Sequence, residues 1–330
     1  MFRRLLKKIK ITPIAEESLG LRSMCTYIET SDTKILLDAG CSLAPKRLGY
    51  PPHPKEYMIL KECRKKINEI AEKAKILTIS HYHFDHHTPS YTDWFTNWSS
   101  AETAKKIYDN KIVLAKSYRS MVNPSQRLRG WMFKKTAGSY TKKLEIADGT
   151  TFHFGDTKIK FSEPVFHGSE DSGLGWVLMT TIEFEDEKVL FTSDVQGPIY
   201  VPTLDKILAE QPQLVIVSGP PTYLTGLRVK EEDIDQGLQN LKWLVENIPI
   251  TILEHHIFRD ENWRTLIQPI FDAASEAGNK IFTAAQFLGI KNNFLEFRRK
   301  QLFETEPPSI EFEKWIKLPL EKRKLLQPPI

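Results

Sequence analysis

Apolar and polar residues keep a strand rhythm over the first forty positions and then change to a helical one. Between Ile11 and Asp38 the runs MCTYIET and KILLD read as strands separated by turn residues. Gly40 and the loop YPPHP close that region. From about Lys55 to Ala74, Leu60, Cys63, Ile67, Ile70 and Ala74 recur at helical spacing, which predicts a helix with one buried face. The fully apolar run ILTI at 76–79 then fits a strand covered on both sides.

The pattern differs between Thr88 and Glu145. Ser99 with Glu102 has the form of a capping box opening one helix. Asn123 followed by Pro124 opens a second, which Gly138 closes. Strand patterns return in TFHF, KIKFS, a long WVLMTTIEF and KVLFT. LVIVS at 214–218, ITIL at 250–253 and KIFT at 280–283 then alternate with helical stretches. One of these, from about Glu231 to Asn247, turns Ile234, Leu238, Leu241 and Val245 inward. A strand meander, a helix and then repeated β and α predict an α/β domain of two sheets back to back with helices outside. One domain is expected over 1–330, with 88–145 as an inserted lid-like segment and a Pro-rich tail at 304–330 wrapping the surface.

Composition narrows the setting. Cys25, Cys41 and Cys63 are odd in number and form no CxxC pair, which argues against a disulfide framework and for a reducing, cytoplasmic compartment. No apolar run suits a bilayer span, so no membrane partner is expected. The N-terminus MFRRLLKKIK is basic without the apolar stretch of a signal peptide, and reads as an arm leading into the first strand. The net charge of +4 is unevenly spread. Eleven Lys or Arg and a single acid, Asp109, fall between Ala104 and Lys143, which leaves the remainder near −6. Nine aromatics, Trp94, Trp98 and Trp131 among them, lie between Thr88 and Glu145.

The chemistry concentrates in ILTISHYHFDHHTP. His81, His83, Asp85 and His86 crowd into six residues at the end of a buried strand, although the whole chain has only nine histidines. Imidazole and carboxylate are ligands for Zn²⁺ or Fe²⁺. Two histidines at i and i+2 of an extended segment point the same way, and the turn after them swings Asp85 and His86 toward a second ion. His167, Asp194 and His255 each stand at the end of a later predicted strand.

HYHFDH fits the HxHxDH signature of the metallo-β-lactamase superfamily, and LLDAG resembles its early strand and turn. The resemblance extends from about Ile11 to Phe294 and implies the αββα sandwich fold. ESLGLRSM, FTSDVQGP, SGPPTYL and EHHIFRD further resemble an archaeal family of predicted metal-dependent hydrolases within it. The resemblance implies that His81, His83 and His167 hold one divalent cation, that Asp85, His86 and His255 hold a second, and that Asp194 bridges them. Zinc is the first choice, with iron or manganese also suited to these ligands. His255 and His256 compete for the last position. LEHHIFRD is similar to the last motif of transfer-RNA 3′-processing endonucleases, a register that selects His255 and makes His256 an outer residue or proton donor. The same register places Arg259 near the substrate.

These residues imply a hydrolase in which two cations sharing a water lower its pKa, with Asp85, His256 and Tyr223 as the catalytic side chains. Tyr223, in the Pro-fixed loop after a buried strand, either donates to a substrate oxygen or completes a structural turn. Asp38 either orients an imidazole or ends its strand. Asp at position 194 and histidine at 83 disfavour β-lactam hydrolysis and di-iron oxygen reduction. On the basic segment, Arg127, Arg129, Lys134 and Lys135 are expected to meet an anionic substrate, a phosphodiester or a nucleic acid, unless they form only a solvated helical face. The rivals are hydrolysis of a small ester, lactone or thioester, and nucleic-acid binding at a non-catalytic metal site.

Overall fold

In the computed structural model, which describes residues 6–330, the strand runs assemble into two mixed sheets. The first holds, in spatial order, β1 (Lys10–Glu16), β2 (Met24–Glu29), β3 (Lys34–Leu37), β4 (Ile76–Ile79), β5 (Ile112–Ala115) and β6 (Lys143–Ile146). β1 to β3 form an antiparallel meander and β3 to β6 run parallel. The parallel crossovers carry α1 (Pro54–Lys73), α2 (Ala101–Tyr108) and α3 (Pro124–Lys135).

The next strands are β7 (Thr151–Phe154), β8 (Thr157–Phe161), a ribbon of β9 (Val165–Phe166) with β10 (Trp176–Val177), β11 (Thr180–Phe184) and β12 (Glu187–Phe191). They are followed by β13 (Leu214–Ser218), β14 (Ile250–Glu254) and β15 (Lys280–Phe282). The second sheet runs β15-β14-β13-β12-β11-β8-β7. Its outer layer carries α4 (Val201–Ala209), α5 (Glu231–Asn247) and α6 (Trp263–Glu276).

Strand periodicity explains the layering, since successive side chains face opposite ways. Ile35 and Leu37 pack between the sheets with Ile76, Phe161, Phe191 and Ile216, whereas Leu36 and Leu77 face α1. Four layers result, αββα, as expected. α1 begins at Pro54 because His53 caps it: its Nδ1 accepts the Lys55 N–H at 3.3 Å, and Glu56 accepts the His53 N–H at 2.8 Å.

Several expectations shift. The box at Ser99 and Glu102 does not form; Ser100 caps α2 through Thr103 N–H at 3.1 Å, while Ser99 pairs with Asp93. Gly138 lies inside a separate turn, Ala137–Tyr140, beyond α3. WVLMTTIEF divides into β10 and β11 because the Leu178 N–H bonds to the Ser80 carbonyl at 3.0 Å, drawing the chain from the ribbon to the mouth of β4. Segment 88–145 contributes β5 and β6 to the first sheet, so the stretch expected as a lid is partly built into the layer. The tail is helical, with α7 (Ala284–Phe287) and α8 (Arg299–Thr305) leading to α9 (Ile310–Ile316) and α10 (Leu320–Leu325). Phe312 and Trp315 are buried against Tyr57. Residues 1–5 of the basic arm lie outside the described residues. Among the described residues no helix is long and apolar enough to cross a membrane, and the three cysteines are buried and free.

Candidate metal centre

The centre is assembled at strand ends. β4 stops at Ile79, and the next residue is tied down by Asp38 at the end of β3. Asp38 Oδ1 accepts the Ser80 N–H at 2.8 Å, its Oδ2 bonds the Ser80 hydroxyl, and the same Oδ2 lies 2.8 Å from His86 Nδ1. Asp38 therefore does both things weighed for it: it ends a strand and orients an imidazole. With Nδ1 engaged, His86 turns Nε2 inward, where that buried atom has no hydrogen-bond partner. The turn carrying His86 lies hard against Gly40, where an added Cβ would come within 2.3 Å of His87 N and 2.5 Å of His86 C. Three non-glycine residues at these strand ends, Asp38, Ser193 and His255, have φ of 47°, 56° and 69°, strain of the kind that concentrates at functional sites.

All seven expected ligands meet here. His81, His83 and His167 converge as one group; Asp85, His86 and His255 as a second; Asp194, His255 and His256 as a third. Within each, the donor atoms lie within 4.8 Å of one another. Asp194 sits between the first two groups, its Oδ2 3.6 Å from His167 Nε2 and 3.4 Å from His255 Nε2. Its Oδ1 is buried without a partner. His255 Nε2 is also 3.6 Å from Asp85 Oδ2.

The electrostatics suit cations. Burial lowers the imidazole of His83 to about 3 and that of His256 to about 4, and drives His81 and His255 well down. Burial opposes ionisation of Asp85 and Asp194, but the surrounding imidazoles outweigh it and hold both carboxyls low. Neutral imidazoles and charged carboxylates are the states that bind metal. Burial opposes protonation of His86 too, but there the Asp38 hydrogen bond wins and raises it; with the unpartnered His86 Nε2 and Asp194 Oδ1, the donor set as a whole fits divalent metal binding.

His255 and His256 separate by the carboxylates their rings meet. The Arg259 guanidinium, always a donor, lies 3.1 Å from His256 Nδ1, and the Tyr223 hydroxyl also lies 3.1 Å away. Nδ1 therefore accepts, the proton sits on Nε2, and His256 donates to Asp194 Oδ2 at 3.0 Å. His255 Nε2 faces Asp85 and Asp194 at 3.6 and 3.4 Å, with Arg259 Nη2 also 3.0 Å from its Nδ1 and 3.1 Å from its Nε2, so the two rings differ in which carboxylates they meet rather than in having the guanidinium beside them. Behind both lies a residue that sequence reasoning missed: buried Glu17 accepts from Arg259 Nη2 at 3.0 Å. It stands 242 positions away, and one sequence holds no signal linking the two. His87 is buried, with Nδ1 3.0 Å from the His83 carbonyl and its ring against Phe133 and Phe84, a packing residue.

The centre opens into a cleft of about 880 Å³. Of the four α3 cations expected at the substrate, only Arg129 lines it, with its guanidinium 4.6 Å from the Phe84 ring centroid. Arg127 lies in a separate groove and Lys134 over Tyr118 at 5.8 Å, and Lys135 does not line the cleft. Helix geometry is the reason: residues two apart point about 200° apart, and Gly130 fixes the inner face against Tyr82 and Tyr118. The cleft draws its other cations from elsewhere: Arg22, Arg228, Lys230 and the expected Arg259. Tyr223 also lines it, stacked under Arg47 at 4.2 Å.

No protein-family model matches this chain. A UPF0282 protein of Methanopyrus kandleri is 40% identical over 294 residues, 89% of this chain and 99% of that protein. A UPF0282 protein of Methanocaldococcus jannaschii is 42% identical over 295 residues, 89% of this chain and 96% of that one. Among solved structures, the metallo-β-lactamase fold protein YhfI of Bacillus subtilis aligns with a TM-score of 0.50 at 14% identity, covering 83% of this chain and 96% of that one. That likeness shows the metallo-β-lactamase fold.

Proposed function

This chain belongs to the UPF0282 family, and on that premise we propose that it is a metal-dependent hydrolase whose preferred substrate is a phosphodiester. One observation carries the reading: candidate ligand side chains from both sheets converge, with two buried inward atoms unpartnered, the His81, His83 and His255 imidazoles pushed toward the neutral form and the Asp85 and Asp194 carboxyls held low. His81, His83 and His167 would hold one cation, Asp85, His86 and His255 the other, with Asp194 between them. Bound there, divalent cations supply Lewis acidity and bring the pKa of water toward neutrality.

The chain's own residues do the rest. Arg129 and Arg228 line the cleft without a carboxylate partner among the described residues, so their charge is available to an anion. Arg22 and Arg259 are neutralised by Glu296 and Glu17 and serve as aimed donors rather than free charge. Asp85, with its carboxyl held low, stays ionised in the centre. His256 borders the cleft with its proton on Nε2. In diester hydrolysis water adds to phosphorus, one P–O ester bond breaks, and the departing oxygen takes a proton from water; His256, whose Nε2 proton is held on Asp194, would orient that carboxylate rather than give a proton away. Arg259 and Tyr223 then hold the imidazole in place.

A small carboxylic ester is the second reading. It draws support from Arg127, Lys134 and Lys135 lying away from the cleft. Metal content measured alongside turnover of bis(4-nitrophenyl) phosphate and 4-nitrophenyl acetate tests both. Two equivalents of metal with diester turnover is expected. Full metal with acetate turnover alone would transfer the proposal to the small ester.

A further inference from the structure

Arg127, which turns away from the cleft, joins Arg119 of the preceding loop in a groove of their own. It has a volume of about 500 Å³ and is lined by Tyr118, Arg119, Pro124, Arg127, Leu128 and Trp131. Leu128 is 58% and Trp131 47% exposed. Exposed large apolar residues grouped on one helix face mark a binding surface more often than chance decoration.

The polar side of the groove is one-signed. Arg119 Nε donates to the Tyr118 hydroxyl at 3.1 Å, its guanidinium lies 5.4 Å from that ring, and Lys134 lies 5.8 Å from the same ring. The Arg127 guanidinium donates to the Arg119 carbonyl at 3.5 Å. Among the described residues no carboxylate comes within ion-pair distance of Arg119, Arg127, Lys134 or Lys135. Between Asn110 and Lys143 the sequence contains no acid at all. Cations left unpaired around two accessible aromatic faces suit a ligand that alternates negative charge with flat rings.

We propose that this groove is a second binding site, for single-stranded nucleic acid, separate from the metal cleft and feeding it. The inference rests on the phosphodiesterase reading and names its substrate class. Bases would stack on Trp131 and Tyr118, and backbone phosphates would pair with Arg119, Arg127 and Lys134. Arg127 and Arg129 point to opposite sides of the same helix, one into each site. A helix with its side chains is about 10–12 Å across, so a strand of a few nucleotides held in the groove reaches Arg129 and the metal ligands beyond it. This placement also accounts for a basic segment that leaves most of its charge outside the cleft. A small ester would have no use for it.

The test is equilibrium binding of a fluorescently labelled twelve-residue oligothymidylate by the full chain with chelator present, so that hydrolysis plays no part. Binding that weakens with salt at a log–log slope of about −2 is expected for three phosphate contacts. Trp131→Ala is expected to weaken it about tenfold or more, with Trp131→Phe restoring most of the loss. Arg127→Glu is expected to weaken it and flatten the salt slope by about one. Lys300→Glu, on the distant α8, serves as the control and is expected to bind like the unsubstituted chain. Thermal unfolding of each variant checks that the fold is intact. Unchanged binding in both groove variants overturns the proposal. Vesicles of phosphatidylserine and phosphatidylcholine bound more tightly than the oligonucleotide, and released by Trp131→Ala, would overturn it in favour of a membrane surface. A mass that doubles with concentration and reverts in Trp131→Ala would overturn it in favour of self-association. If the oligonucleotide binds but no diester is hydrolysed, the groove stands and the hydrolase reading falls. The converse result spares the hydrolase and removes the groove.

Discussion

His255 and His256 are adjacent, both buried and both near Asp194, yet their neighbours give them different work. His256 has a guanidinium and a phenol at Nδ1 and so spends its Nε2 proton on Asp194. Substituting His256→Ala is expected to leave the metal content near that of the unsubstituted chain and to lower kcat by about 10–100-fold, the usual worth of an outer residue that orients a carboxylate at a metal centre. His255→Ala is expected to lose one metal equivalent. Elemental analysis beside steady-state kinetics separates them, and metal loss from His256→Ala with none from His255→Ala would reverse the assignment. Glu296 offers a test at the cleft wall. Burial opposes its ionisation, but the Arg22 guanidinium, at 2.6 and 2.5 Å, holds the carboxyl well below its usual range. A depressed carboxyl stabilises the fold above the unfolded pKa near 4.5 and loses that contribution as pH falls below it. Glu296→Gln leaves half-buried Arg22 without its carboxylate, so at pH 7 it is expected to cost about 1–3 kcal/mol. Denaturant titration should show the gap to the unsubstituted chain narrowing below pH 4.5; a gap constant with pH would mean the ion pair contributes nothing.

At the scale of elements, the site depends on loops stopping where the strands stop. Gly40, between β3 and α1, has no room for a methyl group because the backbone of His86 and His87 fills the space. Gly40→Ala must push that turn outward, with an expected cost of about 1–3 kcal/mol and a loss of metal affinity traceable to His86 and Asp85. Calorimetric metal titration checks this, and unaltered affinity would show that the turn yields freely. The tail makes a different prediction. Phe312 is fully buried against Tyr57, so Phe312→Ala is expected to cost about 3–5 kcal/mol, as a core truncation does. What could be read from the chain follows from the same distinction. The ligand turn and the strand ends were legible because the ligands are local signals: a titratable residue directly after an apolar run. The direction of the α3 cations was not, because it depends on which face Gly130 seats against Tyr82 and Tyr118. Pro-rich composition hid the two aromatics that anchor the tail, and the pairing of Glu17, which opens ESLGLRSM, with Arg259 in EHHIFRD was not legible because only folding joins them.

For the molecule as a whole, the candidate ligands come from both halves of the sandwich. His81, His83, Asp85 and His86 follow β4 of the first sheet, Asp194 and His255 follow β12 and β14 of the second, and His167 follows the ribbon strand β9. The protein contacts across this seam near the mouth are polar: Ser80 Oγ meets Ser193 Oγ at 2.7 Å, Ser193 reaches Asp38 at 3.2 Å, and Glu17 accepts from Arg259 at 3.0 Å. Cations at the centre would therefore tie one sheet to the other at the end where the apolar filling stops. Any ion that binds the folded chain and not the unfolded one stabilises it by mass action, about 4 kcal/mol for a site held at a thousand times its Kd. Chelation is thus expected to lower Tm by several degrees and to broaden the transition as the sheets lose that tie, with zinc restoring both. The effect should vanish in Asp194→Ala, which takes away the carboxylate between the two ligand groups. Identical melting curves with and without chelator, in a chain that elemental analysis shows to be loaded beforehand, would mean that the converging side chains bind no metal that matters to the fold.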